Sequence, residues 1–362
     1  MKKIIILSNT TYGIDMFLLK TLQALKEQYD ITIITNADIH HYSKFNIPLY
    51  RLPLIRKPSI FKDFYNLIRI VAILRAIKPD LLITLTPKSG FLGSIAGRIA
   101  SVKTSHFFTG QVWKNKTGIK RFFLKTLDTI IIKFNFLNYC DSLSQKEFLE
   151  KELYSKEINL RVIGNGSLGG VDVEKFNIEN RVKNETKTLN LLYLARKTEE
   201  KGANDVLLIF KTLYSLNKNF RLYFIGPEEE KIKYKDVERL ESAGKLININ
   251  AHVNPSKYLK ITDILLTPSK REGFCSIVIQ AAAMGIPAIG YDIYGLQDSI
   301  SKENGVRVPL NDITAFVNAI LEMKIKLDKE ESIVRRDCRN YALKFDEKIF
   351  ISSFLKELSE II

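Results

Sequence analysis

Arg271-Glu272-Gly273-Phe274-Cys275-Ser276-Ile277-Val278-Ile279-Gln280-Ala281-Ala282-Ala283-Met284-Gly285-Ile286-Pro287-Ala288-Ile289-Gly290 reads as a short polar loop, one helix and one buried strand. Glu272 and Gly273 lead into the helix, and Gly285-Ile286-Pro287 stops it. The small alanines in its middle permit close packing. A loop of this kind presents backbone N–H groups at a helix N-terminus, where the helix dipole favours an anion. Glu272 sets an acid at the edge of that cradle. Gln280 follows eight residues later, a little over two turns along, on roughly the same helix face. An acid, an anion cradle and a second polar group in line suit a sugar-nucleotide donor.

The rest of the chain repeats this alternation of apolar runs and amphipathic stretches, which argues for parallel sheets covered by helices. In the first half, strands are expected at Lys3–Ser8, Ile31–Thr35, Leu81–Leu85, Thr104–Thr109 and, more weakly, near Ser142. Helices are expected near Asp15–Gln28, Ile60–Ile77, Gly90–Ala100 and Gly118–Leu137. The second half predicts strands at Leu189–Leu194, Arg221–Ile225, Leu246–Ile249, Ile264–Thr267 and Ala288–Gly290. Its helices fall near Gly202–Asn217, Pro255–Lys260, Ser276–Met284, Ile313–Lys326, Glu331–Phe345 and Asp346–Ile362. The fold class is therefore α/β, with two Rossmann-like domains facing a cleft. The domains are expected at 1–165 and 188–345, joined by a polar linker over 166–187.

At 362 residues the chain has room for two such domains. Met1-Lys2-Lys3 precedes only a short apolar run, which suits a first buried strand better than a signal peptide. No uncharged apolar stretch is long enough to span a bilayer. Cys140, Cys275 and Cys338 lie far apart without metal-ligand spacing, and read as reduced thiols of a cytoplasmic protein. With four histidines in the chain, a His-rich metal site is not expected. The net charge of +15 is uneven: residues 1–161 carry 25 Lys and Arg against 12 Asp and Glu, and the remainder 30 against 28. A positive first half suggests an anionic partner such as a membrane surface or a lipid phosphate. The helical stretches Ile60–Val71 and Lys120–Phe134 are both basic and apolar, a pattern that suits an anionic bilayer surface. A nucleic-acid partner is not expected, since no aromatic RNA motif or zinc-finger spacing is present.

Several loops after predicted strands carry polar groups. Tyr193-Leu194-Ala195-Arg196-Lys197-Thr198-Glu199-Glu200-Lys201-Gly202 places cations at a strand end. Gly226 with Pro227 ends another strand, the position where open α/β sheets bind ligands. In the first half, Tyr12 and Gly13 follow the first strand without a dinucleotide glycine triplet, which counts against a nicotinamide enzyme. Thr86-Pro87-Lys88-Ser89-Gly90 and Thr109-Gly110-Gln111-Val112-Trp113 also follow strand-like runs. Tyr12, Gly13, Lys88, Thr109, Gly110 and Gln111 are this half's candidate contacts to a ligand such as an acceptor.

Taken with its neighbours, the opening stretch resembles the family 4 retaining glycosyltransferases, whose motif runs E-G-F, a helix with a second Glu, then G-x-P. The resemblance spans nearly the whole chain and is strongest between residues 160 and 300. Gln280 stands where the family carries its second Glu; an amide keeps one acceptor and adds two donors. The resemblance implies a GT-B fold whose final helix, 346–362, returns to the first domain. It implies that Arg196 and Lys201 hold the donor diphosphate, with Glu272 as the acid of the site. Gly273, Phe274 and Cys275 would contact the donor through their backbones, Gln280 would hold the ribose, and loops at Gly226 and His252-Val253 would flank the base. The expected activity is retaining transfer of a sugar from a UDP-sugar donor to a lipid-diphosphate-linked glycan in bacterial surface polysaccharide synthesis. No cofactor and no metal are expected, because fixed cations and the helix dipole take that role. The protein is expected peripherally on the inner face of the cytoplasmic membrane. A nucleotide-sugar 2-epimerase of the same architecture is the alternative, and a non-enzymatic nucleic-acid binder a remote one.

Overall fold

The computed structural model describes residues 1–55, 57–153, 159–182, 188–216, 219–232 and 237–362. They divide into two compact units, Met1–Gly170 with Lys348–Ile362, and Val171–Glu347.

The first unit holds strands β1 (Lys2–Leu7), β2 (Tyr29–Thr35), β3 (Leu49–Arg51), β4 (Leu81–Thr84), β5 (Thr104–Phe108), β6 (Leu137–Cys140) and β7 (Leu160–Val162). Its helices are α1 (Leu19–Lys26), entered through a wider turn at Ile14–Leu18, then α2 (Ile60–Ile77), α3 (Pro87–Ala100), α4 (Gly118–Phe134) and α5 (Leu143–Leu153). The second unit holds β8 (Leu189–Leu194), β9 (Phe220–Ile225), β10 (Leu246–Ile249), β11 (Ile264–Thr267), β12 (Ala288–Tyr291) and β13 (Gly305–Val308). Around them lie α6 (Ala203–Leu216), α7 (Val237–Ser242), α8 (Pro255–Leu259), α9 (Ser276–Ala283), α10 (Leu296–Ser299) and α11 (Ile313–Leu343). A final helix, α12 (Glu347–Ile361), belongs to the first unit from Lys348 on.

β1 shows why the sheets are covered on both faces. Ile4 and Ile6 point into one core with Phe107, Phe354 and Leu358, while Ile5 and Leu7 point into another with Leu74, Leu92 and Ala96. Side chains alternate across a strand, so an unbroken apolar run demands burial on both sides. α12 supplies part of one of those layers through Phe350, Phe354, Leu358 and Ile361, beside Leu22 and Leu25 of α1. Each sheet is wholly parallel, in the order β3-β2-β1-β4-β5-β6-β7 and β10-β9-β8-β11-β12-β13. Both therefore wind outward in two directions from a central strand. The order reverses between β1 and β4 in the first sheet and between β8 and β11 in the second. Ligands of open α/β sheets bind beyond the carboxyl ends of the strands at such a switch point.

Several boundaries differ from the sequence expectation. The helix expected over Gly118–Leu137 ends at Phe134, where Asn135 turns to extended backbone, and the strand expected near Ser142 is β6, Leu137–Cys140. β3, β7 and β13 are short and were not foreseen. The helices expected at Ile313–Lys326 and Glu331–Phe345 form one run, α11, broken only at Glu330 (φ −136°, ψ 35°). Of the segment 166–187 expected as a linker, Val171, Val173 and Phe176 are buried in the second unit's core. Residues 183–187 lie outside the described residues.

Candidate active site

The loop after β8 and the loop after β11 leave adjacent parallel strands on either side of the second sheet's switch point. Gly202 closes the first loop at φ +71°, and a Cβ there would stand 2.0 Å from the Pro268 carbonyl oxygen of the second. The two loops are thus in main-chain contact, and only glycine allows it.

Three consecutive side chains of one loop meet three of the other. Lys270 Nζ lies 2.5 Å from Glu199 Oε1, Arg271 grips both carboxylate oxygens of Glu200, and Lys201 Nζ donates to Glu272 Oε1 at 2.7 Å. The backbone N–H of Lys270 also donates to the Glu200 carbonyl at 2.9 Å. Behind them, Asp205 Oδ2 lies 3.3 Å from Lys270 Nζ and accepts from Tyr291 Oη at 2.9 Å. The Lys201 and Glu272 side chains are only 18% and 12% exposed, so their attraction is weakly screened. Paired with carboxylates at its end, Lys270 is held above the usual lysine range despite its burial.

The structure joins Lys201 with Glu272 but turns Arg196 elsewhere. Arg196 Nη1 donates to Glu229 Oε2 at 2.7 Å, in the loop after β9. Gly226 begins that loop at φ +140°, where a Cβ would lie 1.8 Å from the Ala195 carbonyl oxygen. Gly273, Phe274 and Cys275 are buried. The Phe274 ring packs 5.2 Å from that of Phe345, and Cys275 Sγ sits 3.8 Å from Thr267 Oγ1. Burial pushes the Cys275 thiol up to about 12, so it is no thiolate at neutral pH. Among the described residues, no side-chain hydrogen bond caps the first turn of α9. Gln280 is half-buried on the same helix. Gly295, at φ +84°, lies under this loop: a Cβ on it would stand 2.7 Å from the Gly273 oxygen and 2.8 Å from that of Glu272.

In the first unit, the loops after β1, β4 and β5 share one edge of the sheet. Tyr12 is 55% exposed, and open space surrounds the position of a Cβ on Gly13. Thr109 is exposed and Gly110 adopts φ +107°. Lys88 and Gln111 are engaged within the unit. Lys88 Nζ donates to Asp63 Oδ1 and to the Lys57 carbonyl, each at 2.7 Å, tying the start of α3 to α2. Gln111 is buried and accepts from Gln145 Nε2 at 3.3 Å. Trp113 is buried as well, stacked on Phe148, its indole N–H donating to Asp128 Oδ2 at 2.7 Å. Beside this loop, burial drives His106 down to about 3, so its ring is neutral against Thr84.

Glu199, Glu200, Lys270 and Arg271 were not foreseen as part of the site. The only trace of them in the sequence is charge order, Glu-Glu-Lys against Lys-Arg-Glu. Lys197, wholly buried beside Arg196, was also missed. Among the described residues, no three His, Cys, Asp or Glu side chains are grouped to hold a metal.

Residues 174–345 match the family model for glycosyl transferases group 1, and residues 3–138 match that for glycosyl transferase 4-like proteins. The chain thus carries a glycosyl transferases group 1 domain and a glycosyl transferase 4-like domain, and its two doubly wound sheets are those of the GT-B fold. It is 25% identical to the capsular polysaccharide biosynthesis glycosyltransferase CapM of Staphylococcus aureus, covering 93% of this chain and 96% of that one. It is 28% identical to an Escherichia coli UDP-Gal:alpha-D-GlcNAc-diphosphoundecaprenol alpha-1,3-galactosyltransferase, over 87% of this chain and 84% of the other. Its fold is similar to that of Anabaena HepE solved with UDP-glucose, with a TM-score of 0.77 at 14% identity over 99% of this chain and 100% of that one.

Proposed function

We propose that this glycosyltransferase moves a sugar from a UDP-sugar to a glycan carried on a lipid diphosphate, with retention of configuration, in the building of a bacterial surface polysaccharide. The observation that carries the reading is the Lys201–Glu272 pair, set at the switch point beside the first turn of α9. An ammonium and a helix N-terminus suit a diphosphate, and a carboxylate beside them suits the hydroxyls of the attached hexose. The names of the curated relatives, which include transferases acting on diphosphoundecaprenol-linked sugars, support the acceptor class.

In this reading Lys201 exchanges its carboxylate partner for the β-phosphate and neutralises charge as the nucleoside diphosphate departs. Arg196 joins it by leaving Glu229. The backbone of Gly273, Phe274 and Cys275 approaches the donor, Glu272 orients the sugar, and Gln280 bonds the ribose. The departing phosphate takes the proton of the acceptor hydroxyl on the face it leaves, which retains configuration. Arg196, Lys201 and the α9 dipole fill the role that a divalent ion has elsewhere, so no metal is needed. On the acceptor side, Tyr12, Gly13, Thr109 and Gly110 are the accessible groups; Lys88 and Gln111 hold the loops they stand on.

The reading extends to the membrane. α2 and α4 flank α3 in the first unit and expose large apolar side chains in their first turns: Ile60 and Phe61 at 86% and 89%, Ile119 and Phe122 at 88% and 74%. Lys62, Arg69 and Lys120 are exposed among them. Apolar groups ringed by cations suit an anionic inner-leaflet surface, where a lipid-linked acceptor resides. No helix among the described residues is long and apolar enough to cross a membrane.

The test is incorporation of label from a panel of nucleotide sugars into a lipid-diphosphate-linked sugar, with the anomeric configuration of the product read by NMR. Transfer of one UDP-sugar with retention is expected. Conversion of the sugar with donor alone, or transfer from no nucleotide sugar at all, would overturn the reading.

A further inference from the structure

Beneath the loop after β8 lies a lysine with no exposed surface. Lys197 follows Arg196, and its Nζ stands 4.4 Å over the centroid of the Phe224 ring. The ammonium donates to three oxygens of successive residues at the end of β10: the Asn248 side chain, the Ile249 carbonyl at 3.1 Å and the Asn250 side chain. An ammonium has three protons, so these acceptors saturate it. The main chain of the same residue is equally employed. Its N–H donates to the Pro227 carbonyl at 2.8 Å, and its own carbonyl accepts from the N–H groups of Glu229 and Glu230, each at 3.3 Å. One residue therefore binds together the carboxyl ends of β8, β9 and β10. A buried ammonium is costly, and a methionine of similar length would fill the space without that cost.

We infer that Lys197 is a positioning residue for the nucleotide end of the donor site, setting the Asn250–Val253 turn and the Pro227–Glu230 loop from below. The inference rests on the donor-site reading above and deepens it. Arg196 hangs from the same loop through Glu229, so displacement of that loop also moves a proposed phosphate ligand.

The arrangement makes the site sensitive to alkali. Burial lowers Lys197 from 10.5 to about 8, against the opposing pull of Glu228, in the loop after β9, and Glu241 on α7. β9 and β10 present no charge to it, only the Phe224 ring and amide and carbonyl oxygens. Once neutral, the amine has two protons for three acceptors, and one of the three must part. The linkage of this group to folding has the opposite sign. The unfolded chain holds the proton up to 10.5, so its contribution to stability rises from pH 8 to 10.5. Weaker donor binding over that range is therefore not a sign of this group unfolding the protein.

The experiment is UDP binding by calorimetry and donor kinetics from pH 7 to about 9.5, on wild type, Lys197→Met and Lys197→Arg. Wild type is expected to bind UDP several-fold more weakly at the top of the range. Lys197→Met should raise donor KM about tenfold, with a smaller fall in kcat as Arg196 shifts with the loop, and lose the pH slope. Lys197→Arg, charged throughout, should hold its affinity across the range. A flat wild-type profile, or an unchanged donor KM in Lys197→Met, would overturn the inference; the wild-type profile decides it even if neither variant folds. Absence of UDP binding to wild type at pH 7 would sink the donor-site reading along with it.

Discussion

Lys201 Nζ and Glu272 Oε1 stand 2.7 Å apart, across the two loops that flank the switch point of the second sheet. Each residue is the other's ion-pair partner. The pair sets two different expectations for its members. Lys201→Ala removes a charge-assisted bond worth about 1.5–3 kcal/mol, so UDP affinity by calorimetry should fall about 10- to 100-fold. Glu272→Ala frees Lys201 from its competitor, so UDP should bind at least as tightly as in wild type. Transfer should nevertheless fall at least about 100-fold with the far-UV circular dichroism unchanged. Equal loss of UDP affinity in both variants would mean that the pair serves the fold alone.

Gly295 is the support of the Glu272–Gly273 turn. At φ +84°, with the Glu272 and Gly273 carbonyl oxygens closer than 3 Å to any Cβ, Gly295→Ala is strained both in its own backbone and against the loop. A loss of about 1–3 kcal/mol is expected on chemical denaturation, together with a raised donor KM. A variant with wild-type stability and KM would show that the turn yields without cost.

The single tryptophan reports on a buried acid. Trp113 donates to Asp128, whose carboxyl burial pushes up from 3.8 to about 7, the indole bond opposing the rise. The folded state thus favours the protonated acid. Between pH 4 and 7 the unfolded chain releases this proton before the folded one does, so stability falls as pH rises through that window. Intrinsic fluorescence should titrate with a midpoint near pH 7, and Asp128→Asn, which keeps an acceptor, should flatten both profiles. Emission independent of pH in wild type would place a permanent charge beside the indole.

Phe61 and Phe122 are 89% and 74% exposed, and neither belongs to a core. Phe61→Ser with Phe122→Ser should therefore change thermal stability little, within about 0.5 kcal/mol per site. Binding to vesicles containing anionic phospholipid should drop about tenfold or more, since each ring contributes on the order of 1.5–3 kcal/mol when buried. Undiminished co-sedimentation would remove these helices from the membrane-facing surface.

Much of the fold was legible because parallel strands buried on both faces are written as apolar runs. Ile31–Thr35 and Leu189–Leu194 needed nothing else. β3 and β7, three residues each, are too short to carry a period, and β13 breaks its run with an exposed Arg307. In β6 the buried Asn138 interrupts the apolar pattern, and Leu137 reads equally well as the end of α4. The candidate site was legible where residues are local in sequence. Glu272 and Gly273 share a loop, and Lys201 precedes a glycine that the loop contact requires. The clamp of Glu199, Glu200, Lys270 and Arg271 was not, because its partners lie 71 residues apart and a charge at a strand end reads as solvated. Lys197 was hidden by the same prejudice. Lys88, Gln111 and Trp113 show the reverse, polar or aromatic groups in promising loops that turn out to hold those loops in shape.

α12 has a consequence for how the protein is made. Phe354 and Leu358 complete a layer against Ile4 and Ile6, and Glu357 reaches back to Arg161 at 2.6 Å. On a ribosome adding about 5–20 residues per second, everything from Val171 to Glu347 is synthesised before that layer exists, a wait of roughly ten seconds or more. At the end of that interval the strands born first have one side of their sheet only partly covered, by Leu22 and Leu25 of α1 among others, while the later unit has every residue of its own core. The nascent chain is thus expected to mature out of birth order, with its leading half the part that most needs a chaperone.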